Sequence, residues 1–188
     1  MHHPDPIGFS RKKNTEASSA TSAATKSNSS FFFTGANDAR VVHSAAGNVA
    51  NPKYTELEDF GECSLVADNG ATGYYRVDWL TPDGLGTWGD GRLFILGTEG
   101  YIELRKYIDI ATPNGGEQLL LVDSKGEHRI SCGGNVGFPF FGELILDCMN
   151  RTEKAMTQRH TFLAAELCLK AQEASMRLDR RPLDAVRR

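Results

Sequence analysis

Two strand-like runs separated by a long turn-rich loop constrain this chain more than any other feature. Residues 72–80 (TGYYRVDWL) alternate with period two, so Tyr74, Arg76 and Asp78 share one face and Tyr75, Val77 and Trp79 the other. Residues 82–91 (PDGLGTWGDG) are saturated with turn formers, and strand character returns from Arg92 to Leu104, interrupted by the GTEG turn at 97–100. A sheet built around such a loop is expected. The loop carries an indole, carboxylates and several glycines, equipment typical of functional loops held on rigid scaffolds.

The 188 residues suffice for one domain with a substantial core. A net charge of -3 supplies no field for nucleic acid or anionic lipid, and no Lys/Arg block is interleaved with aromatics. Cys63, Cys132, Cys148 and Cys168 are scattered without metal-ligand spacing and read as four buried, reduced thiols of a cytoplasmic protein. No apolar run reaches membrane-spanning length, and the Arg11-Lys12-Lys13 cluster lacks the apolar segment of a signal peptide.

Residues 1–30 differ from the rest. From Asn14 to Ser30 they are almost entirely Ser, Thr, Ala and Asn, which offer nothing to bury against the entropy of ordering, so a disordered leader is expected there. The domain begins at Phe31 and runs to residue 188. Strands are expected at 39–46, 60–67 and 72–79, with Asp68-Asn69-Gly70 as a hairpin turn and 48–59 as a surface loop. After an excursion over 106–117, a hairpin follows at 118–131. Helical spacing appears at 140–149 and again at 160–178, where Phe162, Leu163, Leu167, Leu169 and Met176 sit among strong helix formers ahead of Pro182. The fold class is α+β: a mostly antiparallel, open-faced sheet of six to seven strands with helices on one face.

Functional residue types each have a plainer alternative. Asp78, Asp83 and Asp90 could supply the carboxylate pair of a glycosidase, but loop aspartates are ordinarily turn formers. Trp79 and Trp88 could be sugar-stacking platforms, but core or interface packing is the more ordinary role of an indole. His43, His128 and His160 stand apart, without a recognisable nucleophile or acid partner. The GTEG turn is no phosphate loop, since no helix follows it.

A longer pattern carries more weight. Residues 58–62 (EDFGE), 69–79 (NGATGYYRVDW), 97–104 (GTEGYIEL) and 161–172 (TFLAAELCLKAQ), in this order and spacing, resemble the C-terminal domain of the glucose-fructose oxidoreductase, inositol dehydrogenase and MocA family over about 31–178. The resemblance implies an NAD(P)-dependent oxidoreductase of sugars or cyclitols, in which a separate Rossmann domain binds the cofactor. The C-terminal domain of such a protein lines the substrate pocket and associates through its open sheet. It implies no cofactor bound by this chain alone, NAD(P) in a full-length relative, a homo-oligomer, and a sugar-like small molecule as ligand; charge, hydropathy and Cys spacing add the expectation of no nucleic acid or membrane partner and no metal.

On that footing Trp79, Trp88, Asp90 and Arg92 are the expected substrate-lining residues, and Tyr74, Arg76, Asp78, Glu103 and Arg105 the expected interface. Departures accompany the resemblance. The family's Glu-Lys-Pro segment with its catalytic lysine is absent, and its Asp-x-Gly-x-His pattern is replaced by residues 20–30, so no catalytic residue carries over. Read in a shifted frame, residues 14–30 permit a segment containing that pattern. The leader is therefore either a genuine extension or the product of compensating frameshifts near Lys13 and near Ser30. The alternative function is a stand-alone sugar-binding or assembly module.

Overall fold

The computed structural model describes residues 33–112 and 115–178; the expectations for residues 1–30 lie outside them. The expected single sheet is replaced by two sheets of four strands, with orders β3-β2-β1-β8 and β4-β5-β6-β7. The first contains β1 (Ala39–Gly47), β2 (Phe60–Ala67), β3 (Thr72–Asp78) and β8 (Met176–Leu178), and the second β4 (Arg92–Leu96), β5 (Tyr101–Arg105), β6 (Gln118–Asp123) and β7 (Gly126–Ser131). Among the described residues, helices α1 (Pro139–Asn150) and α2 (Gln158–Glu173) complete the α+β fold. Strand periodicity was legible, but it does not say which strand pairs with which across the loop of residues 79–91, and both β3 and β4 end as sheet edges. The chain divides into two compact units, one from residues up to Leu80 together with Arg151 onward, the other from Thr81 to Asn150.

In the first unit, β1, β2 and β3 form the expected antiparallel meander. Gly70 in the β2–β3 turn has φ +85°, a conformation that costs glycine little. A bulge between Val41 and His43 shifts the register of β1, so that Val41 and then Ser44 face the same side. Along that side lie Leu65 and Cys63 of β2 and Tyr75 of β3. Helix α2 packs there through Ala164, Leu167, Cys168 and Ala171, whose i, i+3, i+4, i+7 spacing is one helical stripe. Two alanines in this stripe keep the helix close to the sheet. The larger Phe162 and Leu169, expected to face the core, are exposed because they lie off the stripe.

Thr157 caps α2, its hydroxyl accepting from the His160 N–H at 3.3 Å. The other end is tied to the sheet, where Ser44 Oγ donates to the Ala171 carbonyl at 2.6 Å and satisfies a group in the last turn. The helix expected to reach residue 178 ends at Glu173, and Met176–Leu178 instead pairs parallel to Ala45–Gly47 as β8. Gly47 is required for this approach, because a Cβ there would collide with the Leu178 carbonyl oxygen.

The second unit is an up-and-down meander. Its register puts Leu93, Leu104, Leu119 and Ile130 in one row, with Ile95, Ile102 and Leu121 on the same face. The opposite face carries Arg92 and Arg105 in one row and Phe94, Glu103, Leu120 and Arg129 in the next. The four thiols are free as expected, yet only Cys63 and Cys168 are buried; Cys132 is half-buried and Cys148 exposed.

The stripe assigns unequal weight to residues of similar chemistry. Leu167→Ala is expected to destabilise the chain by about 3 kcal/mol in urea unfolding, through lost burial and the cavity left behind. Leu169→Ala should cost under about 1 kcal/mol. Equal losses would show that α2 packs on another face.

Candidate functional site

The face of the first sheet opposite α2 is polar and internally bonded. Glu62 stands between two neighbours, accepting from the Tyr74 hydroxyl at 2.8 Å and lying 3.5 Å from His43 Nε2. The bond to Glu62 is the main reason the Tyr74 phenol is held above its usual range. Arg76 bonds Asp78 at 2.8 Å through Nε and lies over the Phe60 ring at 4.8 Å. The expected interface residues Tyr74, Arg76 and Asp78 therefore share one surface, with His43, Phe60 and Glu62 joining them across the register.

Trp79, directly after β3, is positioned by a residue the sequence did not single out. Asp59 is 0% exposed, and its main chain donates to the Gly47 carbonyl at 3.1 Å and accepts the Trp79 N–H at 2.9 Å. Its carboxylate accepts the backbone N–H groups of Val49, Ala50 and Asn51 at 2.7, 2.9 and 3.0 Å, and the Asn51 amide at 2.7 Å. Burial alone would raise this carboxyl's pKa, but the bonds from Val49, Asn51 and Ala50 outweigh it and hold the group below its ordinary value. One ionised side chain thus orders the 48–51 loop and, through its backbone, fixes where Trp79 leaves the sheet.

Between the α2 side of the sheet and the end of that helix lies a cleft of about 380 Å³, within the range of small-molecule sites. Cys63, Tyr75, Val77 and Ala171 line it, with Glu58, Gln172 and Ser175 as polar groups. Glu58 accepts from the Gln172 amide at 2.6 Å and from Arg177, linking the segment before β2 to α2 and β8. The Tyr75 hydroxyl lies 3.9 Å from Cys168 Sγ. Burial pushes the Cys63 thiol up despite a bond with Tyr75, so it stays protonated and weakly nucleophilic. The lining suits binding better than covalent chemistry.

In the second unit, Trp88 is 83% exposed on the loop before β4. Asp90 Oδ2 accepts from Arg92 Nε at 2.8 Å and Nη2 at 2.7 Å. Arg92 pairs in register with Arg105, and the like charges are offset by acids: Glu103 takes Arg105 Nε at 2.7 Å and Asp109 takes its Nη1 at 2.6 Å. Asp109, buried, also accepts from the Ala111 N–H and lies 3.7 Å from Arg129. Its carboxyl stays below its ordinary value because the Ala111 bond and Arg105 outweigh burial. Trp88, Asp90 and Arg92 thus belong to one loop and strand start, and Glu103 and Arg105 to the same sheet face as Arg92. Trp79 belongs to the other unit.

Sequence reasoning missed Asp59, Asp109 and the cleft. Asp109 had a local signal, an aspartate three residues before Thr112 able to accept from the backbone two residues on. Asp59 had little beyond the Asn48 and Asn51 turn residues upstream, since its partners are set by where β1 ends. Among the described residues no group of three or more His, Cys, Asp or Glu could hold a metal ion. No helix among them is long and apolar enough to cross a membrane.

Comparison places this architecture among oxidoreductases. No protein-family model matches the sequence, and no curated protein matches it. Among solved structures, a protein of Erwinia carotovora atroseptica provisionally assigned as an oxidoreductase superposes with a TM-score of 0.79 at 49% identity, over 83% of this chain and 46% of its own. An aldose-aldose oxidoreductase from Caulobacter crescentus gives 0.59 at 16% identity, over 81% and 43%. An oxidoreductase from Agrobacterium radiobacter, crystallised with NAD+, L-tartaric acid and magnesium, gives 0.56 at 18% identity, over 73% and 41%. The last two share the fold alone. The chain spans less than half the length of each of these proteins.

The buried Asp59 makes a pH prediction with a defined sign. Its folded pKa is depressed, so its contribution is present above the unfolded value and is lost as pH falls through the folded one, below about pH 4. Asp59→Asn should lower the thermal midpoint at pH 7 and narrow its gap from the parent as pH drops to about 3. A gap that stays constant across this range would remove the carboxylate charge from the account.

Proposed function

We propose that this chain is the substrate-lining and oligomerisation half of an NAD(P)-dependent sugar- or cyclitol-type oxidoreductase of the glucose-fructose oxidoreductase, inositol dehydrogenase and MocA family, corresponding to that family's C-terminal domain. The observation that carries the proposal is the 49% identity, at a TM-score of 0.79, with under half of an oxidoreductase chain. Neighbours whose descriptions name an aldose substrate, NAD+ or NADP support the chemistry. Gly84-Leu85-Gly86-Thr87-Trp88-Gly89 has the G-x-G-x-x-G spacing, but it leads into strand β4 rather than into a helix and so lacks the strand–turn–helix setting of a dinucleotide site; cofactor binding and hydride transfer are therefore assigned to a dinucleotide-binding domain outside this chain.

The division of labour follows from the surfaces. Trp88, Asp90 and Arg92 of the second unit, and Trp79 of the first, are each proposed as substrate-lining residues. An indole face suits the C–H surface of a sugar ring, and a carboxylate–guanidinium pair offers acceptors and donors to adjacent hydroxyls. Tyr74, Arg76 and Asp78 of the first unit, and Glu103 and Arg105 of the second, are each proposed as association residues, since aromatic and arginine side chains are the usual anchors of protein interfaces. A second reading, a stand-alone sugar-binding module, draws on the exposure of Trp88.

The chain should self-associate with rising concentration in sedimentation experiments, and Arg76→Glu, which sets a third acid beside Glu62 and Asp78, should weaken association at least about tenfold, or 1.4 kcal/mol. A strict monomer would overturn the association role. Calorimetry should detect no NAD+ or NADP+ binding by the chain alone, and binding tighter than about 1 mM would contradict the proposal. Sugar binding by the chain alone that disappears with Trp88→Ala would favour the second reading.

A further inference from the structure

Two thiols share the contact between α2 and the first sheet. In the register of that sheet Cys63 lies directly between Ser44 and Tyr75. The helix spans this row, because Ser44 Oγ donates to the Ala171 carbonyl at 2.6 Å and the Tyr75 hydroxyl lies 3.9 Å from the sulfur of Cys168, about one turn back along α2. Neighbouring strands stand about 4.8 Å apart, so Cys63 sits beneath the turn that carries Cys168. The Tyr75 hydroxyl bonds the Cys63 thiol as well. Ala164 and Ala171 let the helix come close here, and close approach is what a disulfide needs, since its Cα atoms stand about 4.4–6.8 Å apart.

Both cysteines line the cleft beside α2, and Cys168, 8% exposed against 1% for Cys63, is the one a small oxidant meets first. Cys63 is a poor first target, because burial holds its thiol above the ordinary value against the bond with Tyr75, and Cys168 adds to the rise. We propose that Cys63 and Cys168 are a redox latch, oxidised by hydrogen peroxide entering the cleft to a disulfide that joins β2 to α2. The Cys168 sulfur attacks one peroxide oxygen, the O–O bond breaks, and the other oxygen leaves as water with the thiol proton, giving a sulfenic acid. The Cys63 sulfur then attacks that of Cys168, the S–S bond forms as the S–O bond breaks, and the hydroxyl takes the Cys63 proton to leave as a second water. Two thiols lose two electrons and one peroxide gains them. Holding the sulfurs side by side offsets the small thiolate fraction of Cys63, and the Tyr75 hydroxyl is placed to relay its proton. The inference concerns the first unit alone and does not depend on the proposed function.

The test treats the full chain carrying Cys132→Ser and Cys148→Ser with hydrogen peroxide and maps its peptides by mass spectrometry. These two exchanges lie in the second unit and leave only the pair to oxidise. The expected result is a Cys63–Cys168 crosslink that dithiothreitol reverses, with a thermal midpoint above that of the reduced chain. Adding Cys63→Ser should halt the reaction at the sulfenic acid and raise dimedone trapping at Cys168 at least about tenfold. Should that buried variant fail to fold, the crosslink in the chain with the pair intact decides the matter. Thiols that survive peroxide, or that reach the sulfinic acid without joining, would overturn the latch. So would a crosslink that forms only once urea has unfolded the chain.

Discussion

The seating of α2 on the first sheet is the contact on which the first unit depends. Leu167 is almost wholly buried against Cys63, Leu65 and Tyr75, and Ala164 and Ala171 bring the helix close enough for Ser44 to reach the Ala171 carbonyl. That contact joins segments more than a hundred residues apart in the chain. Because the helix end is fixed there, the chain leaving it can return as β8 beside β1, where Gly47 clears the way. The cleft and its Glu58 link to Gln172 and Arg177 exist only while this geometry holds.

Charge is handled in two ways in the two units. In the first, Asp59 is enclosed and satisfied by backbone N–H groups, so a single ionised carboxylate organises a loop and the exit of β3. In the second, the guanidiniums of Arg92, Arg105 and Arg129 share a sheet face with their acids Asp90, Glu103 and Asp109. Buried carboxylates with several donors resist protonation and rigidify their surroundings. Both devices stiffen a sheet next to a loop bearing an exposed tryptophan, as expected of surfaces that bind.

Strand and helix positions were largely legible in the sequence, because alternation at 60–67 and 72–78 and the turn formers between them are local signals. The stripe of α2 was only half legible. Phe162 and Leu169 look like core by size, yet the small Ala164 and Ala171 are the contact residues, since distance to the sheet rather than side-chain bulk decides the face. The division into two sheets was hidden, because pairing across residues 80–91 is decided by tertiary contacts. β8 was hidden as well, its three residues continuing the composition of the helix. At the candidate site the exposed loop residues Trp88, Asp90 and Arg92 were legible as polar and aromatic equipment. Asp59 was not, because its value lies in the five bonds its side chain and carbonyl accept from positions the fold brings to it.

In the proposed division of labour, this chain supplies the substrate side of an oxidoreductase and another domain supplies the cofactor side. Formation of reduced nicotinamide, followed by absorbance with a panel of sugars and cyclitols, tests it most directly. The chain is assayed alone and together with a dinucleotide-binding domain from an oxidoreductase of this architecture. The account predicts no reduction by the chain alone and substrate-dependent reduction when both are present, diminished by Trp88→Ala. Reduction of NAD+ or NADP+ by the chain alone would contradict it.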